Sequence, residues 1–171
     1  MNEASHRYLV ALGSNVPVPG VGGPKKVITA ALEYLSDSLG GAGIKIMAAA
    51  PIMDSAPVGP STRHYANSAA VIETYLAPSE LLIILQKAER KFGRVRRGQP
   101  WRARPLDLDI VLWDGGVWAS AELSIPHPRF RSRDFVLGPA AHIAPNWRDP
   151  ITGLSLQHLF ARLTQPRPIP R

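Results

Sequence analysis

The chain has 171 residues, enough for one domain to bury a real core without staples, and it contains no cysteine. Disulfides and thiolate metal sites are therefore excluded, so any metal must sit on oxygen or imidazole, and a reducing cytoplasm is the expected compartment. With no run of about eighteen apolar residues and no basic-then-apolar leader, neither a membrane span nor a secretory signal is expected. The formal charge of +7 predicts an anionic partner such as nucleic acid, nucleotide or phosphate.

In chain order, Arg7 to Leu12 (RYLVAL) reads as a strand that breaks at Gly13-Ser14-Asn15, and VPVPGVGGP is a loop by its prolines and glycines. From Pro24, Val27, Ile28, Ala31, Leu32, Leu35 and Leu39 recur at helical spacing until Gly40-Gly41 ends them. Ile44 to Ala50 is a second strand, and YANSAAVIETY a third after a turn-rich loop. Pro78 and Glu80 suit a helix start, and Leu81, Leu82, Leu85, Ala88 and Phe92 form its apolar stripe, closed by Gly93. A basic loop follows, then the strand RPLDLDIVLW, a DGG turn into VWASAEL, and an amphipathic helix through Leu156, Leu159, Phe160 and Leu163. Residues 1–163 are expected to form one domain, and the Pro-rich residues 164–171 a flexible tail. The order β-α-β, β-α-β implies a ferredoxin-like α/β (α+β) sandwich. Its sheet is expected to be mixed but mostly antiparallel, with helices on one face and the other face open for a site.

Two segments carry chemistry. In an extended chain Leu106, Leu108, Ile110 and Leu112 share one face, while Asp107 and Asp109 stand on the other with Cα atoms about 7 Å apart. Two like charges so placed need a cation, a shared proton or free water. Hard Mg²⁺ prefers carboxylate oxygen and water and completes its shell with substrate phosphate. A bare D-x-D on a solvated sheet face is the competing reading. Just upstream, RKFGRVRRGQPWRAR gathers Arg90, Lys91, Arg94, Arg96, Arg97, Arg102 and Arg104 around Trp101, and Arg129, Arg131 and Arg133 follow the strand. Cations beside paired carboxylates are what phosphoryl-type transfer requires, although ordinary solvated charge explains some of these arginines. Neither a Walker-type loop nor a dinucleotide fingerprint is present. His127 is held between Pro126 and Pro128, a restricted backbone suited to a positioned donor or simply to a turn.

Taken in order, VALGSN, YANSA, GRVR, RPLDLDIVL and IPHPRFRSRDFVL resemble the 6-hydroxymethyl-7,8-dihydropterin pyrophosphokinases of folate biosynthesis, from about Tyr8 to Pro145. The resemblance implies a ferredoxin-like fold and transfer of the β,γ-diphosphate of ATP, as co-substrate, to the pterin hydroxymethyl group, with two Mg²⁺ ions. It implies that Asp107 and Asp109 ligate both ions and, with Arg94 and Arg104, form the catalytic group. Gln86, Glu89, Arg94, Trp101, Arg104, Ile110, His127 and Arg133 are implied contacts of ATP. Ser55, Val58, Tyr65, Asn67 and Phe135 are implied contacts of the pterin, with Tyr65 and Phe135 as aromatic walls. Pro100, Arg102 and Pro128 depart from the commoner family residues. A monomer acting on small molecules, with no nucleic acid or membrane partner, is expected. The alternatives are a family member that binds without turnover and a basic ferredoxin-like nucleic-acid-binding module. The latter expects aromatic base platforms on central strands and has no use for the aspartates.

Overall fold

The computed structural model describes residues 4–38, 43–55, 63–95 and 103–166. Its elements are β1 (His6–Ser14), α1 (Pro24–Glu33), β2 (Lys45–Ala49), β3 (Met53–Ser55), β4 (Tyr65–Thr74), α2 (Pro78–Lys91), β5 (Asp107–Trp113), β6 (Trp118–Ala119), β7 (Ser124–Ile125), α3 (Asp134–Ile143) and α4 (Leu156–Thr164). The main sheet has the order β2-β4-β1-β5, with β3 extending the pairing of β4, and every pairing is antiparallel. The order is that of a split βαβ repeat, in which α1 carries the chain from β1 to β2 across the position of β4, and α2 from β4 to β5 across β1. The sequence expectation of some parallel pairing is thus corrected: among the described residues the sheet is wholly antiparallel.

α1 and α2 lay Val27, Ile28, Ala31, Leu81, Leu85 and Ala88 on one face of this sheet, against Tyr8, Val10, Leu12, Ile72, Leu108 and Ile110. The opposite face is not open along its length, as the sequence suggested. α3 and α4 bring Val136, Leu137, Ala140, Leu156 and Leu159 onto Leu9, Val71 and Val111. Residues 9 to 12 of β1 therefore read as an unbroken apolar run because this central strand is buried on both sides. Among the described residues, one hollow is left at the end where β1 finishes and β4 and β5 begin, and a second lies at the opposite end between Arg7, Val71, Asp114 and Ile143.

The α3 helix was not visible in the sequence. Gly138 and Pro139 lie inside it, and both disfavour helix by propensity. Pro139, Val136, Leu137 and Ala140 are all buried, so tertiary packing overrides the local preference. A second local departure lies in β5. A register shift between Leu9 and Val10 marks a bulge, after which Val111 and Leu112 both belong to the α3/α4 cluster while Trp113 packs on the α1/α2 side. Leu112 thus does not share a face with Leu106, Leu108 and Ile110. The segment after the DGG turn is shorter than read, since β6 pairs only with β7 in a separate ribbon.

Candidate active site

Strand register builds the floor of the site. Gly13 on β1 is flanked by Asn67 on β4 and Asp107 on β5, and one step inward Ala11 is flanked by Ala69 and Asp109. Ala11 and Gly13 carry almost no side chain on this face, so a hollow opens between the two outer strands. A cavity of about 530 Å³ occupies it, lined by Ala11, Gly13, Asn67, Asp107 and Asp109 together with Leu12, Tyr65, Arg104, Arg129, Ser132, Arg133, Phe135 and Val136. A Cβ added at Gly13 would lie 3.3 Å from the Asn67 Oδ1, so the glycine leaves the amide its place.

Two arginines hold Asp107. Arg94, just past α2, reaches Asp107 Oδ1, and Arg104 Nη1 donates to Asp107 Oδ2 at 2.7 Å. Glu89, 2 % exposed, accepts from Arg94 Nη1 at 2.5 Å and from the Leu108 amide at 2.9 Å, tying α2, the arginine and β5 together. Asp109 has a different environment. Burial, then the Asp107 and Glu89 carboxylates, push it up to about 6 against the opposing pull of Arg133 and Arg94. The pair is therefore asymmetric: Asp107 is charge-paired, whereas Asp109 gains from a proton or an added cation.

The segment after β7 forms the far rim. The His127 amide donates to the Val111 carbonyl at 2.9 Å, fastening this segment to the edge strand. His127 Nδ1 accepts from the Arg129 amide at 3.1 Å, which leaves its other ring nitrogen as the donor. Burial, then the Arg133 guanidinium, hold this imidazole below its usual range, so it is neutral at pH 7. Arg131 instead turns away and grips the fully buried Asp149, Nε to Oδ2 at 2.7 Å and Nη2 to Oδ1 at 2.8 Å. Its neighbours Arg129, Ser132 and Arg133 line the cavity, with the Arg133 guanidinium 5.7 Å from the Phe135 ring centroid.

Of the residues singled out in the sequence, Tyr65, Asn67, Arg104, Asp107, Asp109, Arg133 and Phe135 line one cavity. Arg94, Glu89 and His127 stand directly behind or beside it. Ser55 pairs with Tyr65 across β3 and β4. Gln86 lies half-buried on α2, and the Ile110 side chain is in the core on the α1/α2 side; neither lines the cavity. Val58 and Trp101, and the departures at Pro100 and Arg102, lie outside the described residues, as does tail segment 167–171. Sequence reasoning missed Ala11, Gly13 and Ser132, and gave Arg129 no role beyond its place among the arginines that follow the strand. The alternation of small residues in VALGS was the available sign for the first two.

Among the described residues no group of three or more His, Asp or Glu side chains forms a metal cage. Two oxygen-donor side chains with room beside them fit a hard divalent ion that takes its remaining ligands from water and substrate.

Fold and site together define a class: a single α/β unit with an antiparallel sheet and four helices, bearing an acid-and-arginine cavity at one sheet end. The family model for 7,8-dihydro-6-hydroxymethylpterin-pyrophosphokinase (HPPK) matches residues 9–145, and the chain belongs to this family. The 2-amino-4-hydroxy-6-hydroxymethyldihydropteridine pyrophosphokinase of Pseudomonas aeruginosa is 38 % identical over 159 residues, covering 91 % of this chain and 90 % of that protein. Its namesake from Synechocystis is 34 % identical over 161 residues, covering 94 % and 78 %. The fold is shared with the Plasmodium falciparum HPPK-DHPS crystallised with pteroate, at a TM-score of 0.68 and 11 % identity. That likeness spans 95 % of this chain but only 45 % of the other.

Proposed function

We propose that this chain transfers the β,γ-diphosphate of ATP to the hydroxymethyl group of 6-hydroxymethyl-7,8-dihydropterin, releasing AMP, in a Mg²⁺-dependent reaction of folate biosynthesis. The observation that carries the reading is one cavity that Asp107 and Asp109 line together with three arginines and with Tyr65, Asn67 and Phe135.

Tyr65 and Phe135 suit a flat heterocycle, with the Asn67 amide available to pair with its polar edge. That orientation carries the hydroxymethyl group toward the aspartates. Asp107 and Asp109 would hold the Mg²⁺ ions, which supply charge neutralisation of the phosphates and a lowered pKa for the attacking hydroxyl. Arg104 and Arg133 attract the diphosphate, and His127 offers a neutral N–H donor beside them. In the transfer the pterin oxygen bonds to the β-phosphorus, the bond from that phosphorus to the α,β-bridging oxygen breaks, and AMP leaves with the bridging oxygen. Arg94 keeps Asp107 in register, while Trp101 and Val58 are proposed contacts of ATP and pterin respectively.

A nucleic-acid-binding module is disfavoured because α1 and α2 cover one sheet face and α3 and α4 much of the other. No described helix is long and apolar enough to cross a membrane. The absence of cysteine supports a cytoplasmic site of action. We take the working form to be a monomer.

The test is AMP formation by purified protein from ATP and the hydroxymethyl-dihydropterin. Turnover that requires Mg²⁺ and disappears in EDTA is expected; no AMP above the protein-free rate overturns the proposal.

A further inference from the structure

Asn15 is buried, 5 % exposed, and stands one residue beyond the end of β1, outside every role assigned so far. Its side-chain Oδ1 accepts a hydrogen bond from the Arg104 amide at 2.6 Å, and its own amide donates to the Arg104 carbonyl at 3.0 Å. One residue thus holds both polar groups of the Arg104 backbone. The last ladder pair between β1 and β5 is Gly13 with Asp107, so this double contact is a tie beyond the point where the strands stop pairing.

The location matters because of what Arg104 does next. Its guanidinium reaches forward three residues to Asp107 Oδ2 at 2.7 Å, yet its side chain is 43 % exposed, so packing alone does not fix it. A long, half-solvated arginine holds one rotamer only if its backbone is held. The amide nitrogen Nδ2 of Asn15 is buried and has no partner among the described residues. The buried Asn15 side chain is thus held through its oxygen alone, by the Arg104 amide.

We propose that Asn15 is a positioning residue for the reaction: it clamps the Arg104 peptide and thereby aims the Arg104 guanidinium at Asp107 and the phosphates. The inference rests on the diphosphate-transfer reading above. Asn15 touches neither substrate nor the reacting atoms, and its whole effect passes through Arg104. A displacement of the order of an ångström at a charged group of this kind lowers turnover by about 100-fold.

The experiment is a double-mutant cycle on kcat with Asn15→Ala, Arg104→Ala and the pair. Asn15→Ala is expected to lower kcat by about 10- to 100-fold, with KM for the pterin changed less than about threefold. In the Arg104→Ala background the same change is expected to cost less than about threefold, because the group it aims is gone. Equal losses in both backgrounds mark a merely structural role and overturn the proposal, as does an Asn15→Ala protein within about twofold of the parent. If Asn15→Ala does not fold, the cycle is run with Asn15→Ser, whose hydroxyl suits the buried pocket but falls short of the Arg104 amide; the same two outcomes decide. A parent protein that makes no AMP removes this inference together with the activity reading. An active parent with an indifferent Asn15 removes this inference alone.

Discussion

Asp107 and Asp109 sit two residues apart on one strand in unlike surroundings. Asp107 is 18 % exposed and meets two guanidinium groups, while Asp109 is pushed up to about 6 by burial and by the neighbouring carboxylates. The sign of the pH effect follows. Below about pH 6 Asp109 holds a proton that a metal ion must displace, so apparent Mg²⁺ affinity should fall by about tenfold per unit of acidification there. In the metal-free protein the same raised value opposes folding as pH rises from about 4, the unfolded value, to about 6, and the penalty is complete above that. Titration calorimetry of Mg²⁺ with a non-hydrolysable ATP analogue between pH 5 and 8 measures the first effect. Asp109→Asn should flatten the profile, and an unchanged slope in that variant would assign the proton elsewhere. Either Asp107→Ala or Asp109→Ala should reduce turnover by at least about 100-fold with an intact circular dichroism spectrum. Gly13 makes a subtler prediction. A methyl group there meets Asn67 Oδ1 at 3.3 Å, so Gly13→Ala should raise KM for the pterin by about tenfold through displacement of the amide. An unaltered KM would mean that Asn67 has room to yield.

Among the elements, β5 shows how strongly hydrophobic patterning constrains a site. Sliding it by one residue would move Asp107 and Asp109 into the α1/α2 core and Leu108 and Ile110 into the cavity. Each buried aliphatic side chain stabilises by about 1.5–3 kcal/mol, and each unpaired carboxylate would cost several more, so the register is fixed up to the bulge. The aspartates' outward aim was legible from LDLDI for this reason. The bulge and the α3 helix were not, since both arise from contacts between segments distant in sequence. The rim segment depends on such a contact. Asp149, in the loop before α4 and beyond the region matched by the family model, anchors Arg131 and also accepts from the Ile151 amide and the Thr152 hydroxyl. Burial pushes this carboxyl up, but the hydrogen bonds of Arg131, Thr152 and Ile151 outweigh it and bring Asp149 to about 2. A depressed folded value means stability that is complete above about pH 4 and lost as pH falls through about 2, amounting to about 2–3 kcal/mol. Urea unfolding at pH 7 should show Asp149→Ala destabilised by about 3–5 kcal/mol, the effect of leaving Arg131 without its partner. A change under about 1 kcal/mol would show that the rim does not depend on the clamp.

The described residues place two hydrophobic clusters back to back across one antiparallel sheet and leave the end that carries the aspartates uncovered. Both faces could not be foreseen as covered, because the helix that contributes most to the second contains Gly138 and Pro139. The site at the uncovered end was largely legible nonetheless: seven predicted residues from three separate segments line one cavity. Those segments meet because β1 lies between β4 and β5 in the sheet, an order that no local pattern reveals. The residues that escaped the sequence reading, Ala11 and Gly13, are small, and their part is to leave space. Part of the positive charge likewise has a local address, since Arg104, Arg129 and Arg133 surround the same hollow. The central claim is transfer of a diphosphate rather than a single phosphate. It is tested most directly by following ATP labelled separately at the β- and γ-phosphorus through one turnover. The account predicts that both labels appear together in the pterin product and that the nucleotide left behind is AMP. Transfer of the γ-label alone, with ADP as the nucleotide product, would contradict it.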